Sequence, residues 1–341
     1  MNNTEEKKDF SQIGLAYFAG AITYYVLVSL VFGLLAKSNS SFLTTNTSMI
    51  TSYVILLLIG YPLMFFLLKD MPVAKLPKKN LSAGMTIVAF MSAYFVMIVC
   101  NVLGLIMNSQ LGKLTGKGIM NPITNVIGEL SFPLQIIIVM ILAPIAEELV
   151  FRKMLIDRIY KYGELLAAIT SGLMFGLFHG NFQQFCYAFG MGIFFSFIYM
   201  RTGKIIYTIA FHVLINTLGS LPAHFFMKGI DIQLVQNYIF SGQIDEYMAY
   251  VTEHMAQFAA ISIYGFVTII FVVAAFAVTI IFHKKFRFEK HESDLAGKQA
   301  VASLFCNIGM IIFVIWWVFN IVLAQFGLDF SGMLMSLIMK L

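Results

Sequence analysis

Long apolar runs separated by short polar stretches set the pattern of this chain. The runs fall at roughly 12–36, 49–69, 86–107, 131–151, 165–180, 185–200, 205–221, 257–283 and 302–326. Most approach or exceed the ~20 residues that an α-helix needs to cross about 30 Å of hydrocarbon. The pattern predicts an all-α polytopic membrane protein of about nine transmembrane helices. The first run is too long for the core of a cleaved leader and ends in LLAKSNSS, so it is expected to stay as a span. The tail FSGMLMSLIMKL (330–341) is apolar but too short to cross after a turn. Two dispositions stay open for it, lying at the interface or re-entering the membrane.

Loop lengths divide the chain into three blocks. Residues 1–125 hold three accessory helices and end in GKLTGKGIMNPITN, rich in breakers. Residues 126–222 hold four helices joined by the short turns KYGE, GNFQQ and RTGK. Short turns make antiparallel neighbours, so this block is expected to be a compact four-helix core. Residues 223–341 carry a longer, mildly acidic loop and the last two helices.

Composition narrows the function classes. The chain is 60% hydrophobic and 11% charged, with a mean hydropathy of +0.85, far from soluble-domain usage. The net charge of +5 would suit a polyanion, but its distribution argues against nucleic acid. If loops alternate sides from a cytoplasmic N-terminus, every basic residue except Lys37, Lys113, Lys117, Lys228 and Lys340 falls inside. The basic excess is thus a topology signal, placing the N-terminus in the cytoplasm of a multi-pass cell-membrane protein. Cys100, Cys186 and Cys306 lie in apolar runs without paired metal spacing and read as packing residues.

Ionisable side chains are costly in a bilayer and therefore point to function. Within the predicted spans they are Glu147, Glu148, His179 and His212, with Arg152 at an edge, and all lie in the middle block. Glu148 and Arg152 are i and i+4 on a helix, in the favourable acid-before-base order. Glu147 is rotated by about 100° and has no such partner. Glu147 and His179 stand equally far from the turn at Gly163, so they can meet across that hairpin. His212 reaches the same level if the charged stretch RKMLIDRIYKYGE carries the hairpin about 10 Å beyond the hydrocarbon. Phe175 shares a helix face with His179, as His212 does with Asn216. Gly172, Gly176, Gly190 and Gly192 allow close helix approach.

The three stretches EELVFR (147–152), FGLFH (175–179) and HVLIN (212–216), in this order, resemble the CPBP family. That family comprises the type II CAAX prenyl endopeptidases with the bacterial abortive-infection and bacteriocin-processing or immunity proteins. The linking stretch FGMGIFFSFIYMRTGKIIYTIAFH is also similar to the family's Gly-rich helix and Arg-Thr-Gly turn. The resemblance covers about 100 residues, and it implies hydrolysis of a peptide bond in or beside the membrane. It implies Glu147 as general base, His179 holding the water, His212 and Asn216 stabilising the oxyanion, and Arg152 orienting Glu148. The implied substrate is a small hydrophobic or membrane-anchored peptide, prenylated or bacteriocin- or pheromone-like. No cofactor is expected. The alternative is a zinc site of Glu147, His179 and His212 with Glu148 as base, against which stands the lack of a His-Glu-x-x-His motif. A reading of a different class is a non-catalytic regulator or bacteriocin-immunity protein binding a membrane partner such as a sensor kinase.

The remaining signals read blandly. His224, His254, His283 and His291 lie in loops or at span edges, Trp316 and Trp317 read as packing, and Tyr24 and Tyr25 as lipid or helix contacts. Asp245, Glu246 and Glu253 read as a solvated face.

Overall fold

A computed structural model describes residues 3–38, 40–115, 129–226, 228–292 and 294–340. Among these residues every element is helical. The order is α1 (Asn3–Ser38), α2 (Thr45–Leu68), α3 (Ala83–Thr115), α4 (Phe132–Tyr162), α5 (Glu164–Phe178), α6 (Phe182–Thr202) and α7 (Ile205–Phe226). Then come α8 (Ile232–Ser241) and α9 (Ile244–Glu253) in the long loop, α10 (Met255–Phe282), α11 (Gly297–Phe305), α12 (Ile308–Gln325) and α13 (Phe330–Lys340). The connection 116–128, where the sequence marks the end of the first block, lies outside the described residues.

Eight of the described helices are long and apolar enough to cross a membrane. The ninth expected run, 165–180, instead folds as α5, whose 15 residues extend only about 22 Å. That is short of the hydrocarbon thickness. The chain stops there because Gly180 adopts φ 64° and Asn181 caps α6, its side chain accepting from the Gln184 amide. The α5–α6 hairpin therefore turns back before reaching the level of the longer helices.

The loops rich in Lys and Arg assemble at one end of the molecule. There the Ala74 amide donates to the Asp157 carbonyl (2.6 Å), Lys79 to Thr202 (2.8 Å) and Leu295 to Tyr162 (3.1 Å). Arg201 forks onto both carboxylate oxygens of Glu164 at 3.0 and 2.9 Å and also reaches Glu289 at 2.6 Å. At the opposite end, the Thr45 hydroxyl donates to Glu129 (2.7 Å), and the Ser131 amide donates to Asn46 (2.9 Å). Among the described residues, the basic loops that the charge pattern groups on one side therefore lie together at one end.

Packing places the middle block at the centre. The most apolar windows of α4 and α6 are 50% and 56% buried, against 6% for α10, which leaves Ile263, Phe266 and Ile281 facing outward, as suits a lipid contact. α5 and α6 lie so close that a Cβ on Gly192 would sit 2.7 Å from the Gly172 Cα. This is the small-residue contact through which membrane helices approach. Helices α12 and α13 pack along α1, and Ser29 of α1 donates to the Ser331 carbonyl of α13 (3.2 Å). The apolar tail thus folds back against the first helix.

Candidate active site

Helix α4 is not a regular α-helix. Residues Gln135–Leu142 and Leu149–Met154 run as wider π-helical turns on either side of Ala143–Glu148. Such turns are frequent at functional sites, and here side chains from other segments occupy backbone carbonyls within them. Asn216 donates its amide to the Val139 carbonyl (3.0 Å), Tyr17 its phenol to Val150 (2.7 Å) and Ser171 its hydroxyl to Phe151 (2.7 Å). Three packed helices thereby fix the rotation of the segment that carries both glutamates.

The two glutamates have different surroundings. Glu148 is fully buried; its carboxylate lies 3.2 Å from Arg152 Nε and 2.9 Å from His212 Nδ1. The Arg152 guanidinium is also fully buried, out of line for a hydrogen bond to Glu148 but paired with it in charge. It lies 4.3 Å over the Phe175 ring centroid and 5.5 Å from that of Phe195. Aromatic faces stabilise a desolvated cation by about 2 kcal/mol or more. Glu147 is about a fifth exposed and projects into a cavity, with His212 Nε2 at 3.6 Å from its carboxylate. One carboxylate is occupied and the other faces open space.

Both histidines are oriented through Nδ1. His179 makes that contact with the Phe175 carbonyl at 2.8 Å, and His212 makes it with Glu148. Phe175 underlies both, with its ring edge-on to each at 4.8 and 5.8 Å between centroids. Glu147, His179, His212, Asn216 and Phe175 all line one cavity of about 560 Å³. The structure therefore brings together the residues of all three motifs, with Glu148 and Arg152 directly behind that wall.

Several residues at the site carry no signal in the sequence. Asn181, Gln184 and Tyr187 form a chain of side-chain hydrogen bonds beside His179, in which Asn181 also donates to the His179 carbonyl (3.0 Å). Tyr24 and Tyr25, read above as lipid or helix contacts, line the cavity together with Tyr53 and Tyr61. Trp317 is packed as expected, but its ring also forms part of the cavity wall. These residues come from helices far apart in sequence, and a polar residue at the edge of an apolar run looks the same whether it faces lipid or a cavity.

Among the described residues, no three His, Cys, Asp or Glu side chains are grouped as a metal ion would require. Of the zinc set weighed above, Glu147 and His212 are 3.6 Å apart, and His212 has one ring nitrogen engaged by Glu148. As placed, the residues do not form the three-ligand set that a catalytic zinc needs.

An all-α membrane protein with a buried Glu-Arg-His cluster under a half-open glutamate is the class that fold and site define. Residues 129–218 match the family model described as Type II CAAX prenyl endopeptidase Rce1-like. Two curated relatives match over part of their length. One is "Putative membrane peptidase YdiL" of Bacillus subtilis (strain 168), 32% identical over 108 residues, or 31% of this chain and 41% of that protein. The other is "Membrane-embedded CAAX protease MroQ" of Staphylococcus aureus (strain USA300), 33% identical over 91 residues, 25% of this chain and 37% of the relative. The chain thus spans less than half the length of the curated relatives it matches. No solved structure matches it significantly. The resemblance carried by the three motifs therefore extends over the central block, α4 to α7.

Proposed function

We propose that this protein is an intramembrane endopeptidase in which Glu147 activates water to hydrolyse a peptide bond in a small hydrophobic or membrane-anchored peptide. The observation that carries this reading is the division of labour between adjacent glutamates, Glu148 held by Arg152 and His212, Glu147 open to a cavity deep among the helices. The family match over α4 to α7 and the printed names of the relatives support it.

The chemistry follows from the donor and acceptor positions. Glu147 takes a proton from water, whose oxygen attacks the scissile carbonyl carbon; general-base assistance of this kind is worth roughly 10²–10⁴-fold. His179 helps to hold the water. The negative charge that develops on the carbonyl oxygen is met by His212 with both ring nitrogens protonated, Nδ1–H donating to Glu148 and Nε2–H, on the Glu147 side, donating to the oxyanion. Asn216 gives one amide hydrogen to Val139 and keeps one for the oxyanion. Glu147 then returns its proton to the leaving amine nitrogen as the C–N bond breaks. Arg152 acts on the reaction only through Glu148 and is a positioning residue. The basic loops, gathered at one end, support placing that end and the N-terminus in the cytoplasm.

The test is cleavage of a panel of membrane peptides by the purified protein, wild type beside Glu147→Gln, with and without a zinc chelator. The reading expects turnover by the wild type, loss of at least ~10²-fold in the variant and no effect of the chelator. Loss with chelator would transfer the chemistry to a metal, and full function of the variant in cells would end the enzyme reading in favour of a partner-binding regulator.

A further inference from the structure

We propose, resting on the protease reading, that the peptide reaches Glu147 from the end of the molecule opposite the basic loops, through a vestibule between α1 and α2, and that these accessory helices form its binding site. The cavity at Glu147 adjoins a second one of about 480 Å³, and the two share Tyr24, Met49, Tyr53 and Leu56 as lining. The second cavity is lined further by Thr44, Thr45 and Ser48, which stand at the α1–α2 turn. Among the described residues the two hollows thus form one path from that end to the catalytic carboxylate.

Helix arithmetic gives its depth. Tyr53 lies eight residues, about 12 Å, below the start of α2, and Glu147 lies fifteen residues, about 22 Å, below the start of α4. The hollow exists because α5 is short: its turn at Gly180 stops beneath the level of the longer helices, and Tyr25 and Trp317 stand over it. Toward the basic end, Phe151, Arg152, Phe175 and Tyr162 are fully buried and the loops beyond them are hydrogen-bonded to one another.

The lining chemistry names the occupant, an extended apolar or aromatic peptide segment. Backbone groups that enter a membrane protein without secondary structure must find hydrogen-bond partners in the wall. Tyr24, Tyr53, Tyr61, Ser48 and Ser52 line the path and carry hydroxyl groups of the kind that can supply them, Tyr24 and Ser52 being hydrogen-bonded to each other. Methionine and aromatic surfaces adapt to varied apolar side chains. At about 3.3 Å per extended residue, a depth of ~22 Å holds six to seven residues. The scissile bond is thus expected about that far from where the substrate emerges.

The experiment uses thiol accessibility in sealed, oriented vesicles, after Cys100, Cys186 and Cys306 are replaced by alanine. Single cysteines are placed at Met49 and Ser52 in the vestibule, at lipid-facing Leu58, and at Lys78 on a basic loop, and each is exposed to a membrane-impermeant thiol reagent from each side. Met49→Cys and Ser52→Cys are expected to react from the side where Lys78→Cys does not, and faster than Leu58→Cys. A cleavable peptide is expected to slow the reaction at Met49→Cys, and a bulky adduct there to abolish cleavage. Reaction from the Lys78 side, or no faster than at Leu58, overturns the route without reference to any activity. Correct sidedness with cleavage untouched by the adduct also overturns it. In both cases the loss of turnover in Glu147→Gln would leave the protease reading standing.

Discussion

The half of the molecule at the basic loops and the half opposite are built on different principles. On the basic side the elements are tied across sequence: Arg158 donates to the Leu68 carbonyl (2.9 Å), Tyr199 to Asp157 (2.7 Å), Tyr162 to Asp9 (2.7 Å) and Arg201 to Glu164. On the far side two adjoining hollows open among α1, α2, α4 and α7. The two glutamates sit at the boundary, Glu148 belonging to the tied half and Glu147 to the hollow one. On the proposed mechanism, the difference separates stability from chemistry in depth, so a substitution should affect mainly one or the other according to its side.

The strongest way to break this contrast is at the buried pair. Glu148→Gln leaves Arg152 without its counter-charge, and removing one partner of a buried pair costs about 3–5 kcal/mol. The variant is expected to melt far below wild type in detergent, and the further change Arg152→Met to recover part of the loss; a melting point unchanged by Glu148→Gln would show that the guanidinium is satisfied by its rings alone. Next in size is Arg201→Ala, which releases a carboxylate only 2% exposed from a charged hydrogen bond, an effect of roughly 1.5–3 kcal/mol. Its loss should loosen α5 against α6 and show as faster proteolysis of the loop 283–296.

Tyr17→Phe frees the Val150 carbonyl and is expected to cost about 1–2 kcal/mol, since a buried acceptor is left unsatisfied. Equal melting of Tyr17→Phe and wild type would mean that α4 holds its wide turn unaided. The smallest effect on stability is expected in the hollow half. Met49→Ala removes no enclosed packing and should change stability by less than ~0.5 kcal/mol, while raising KM for a cleaved peptide with kcat unchanged. A large destabilisation there would erase the contrast.

How far the sequence foretold this can be argued residue by residue. The Glu148–Arg152 pair follows from i, i+4 spacing, and the meeting of Glu147, His179 and His212 at one cavity follows from counting along helices from their turns. The contact of His212 with both glutamates bears out that level. What stayed hidden depends on three-dimensional closure. The turn GNFQQ was legible at Gly180 and Asn181, but not that the helix ending there would stop short of its longer neighbours and leave the vestibule beyond it. The π-helical turns of α4 were equally illegible, because they depend on Tyr17, Ser171 and Asn216 arriving from other helices to take the freed carbonyls.

The measurement that bears most directly on the separation is the rate of peptide cleavage per folded molecule in Glu147→Gln, taken together with its melting curve. The account predicts a variant that melts within ~0.5 kcal/mol of wild type and cleaves at least ~10²-fold more slowly. A variant that melts normally and cleaves at the wild-type rate would contradict it, because the carboxylate facing the hollow would then have no part in the chemistry.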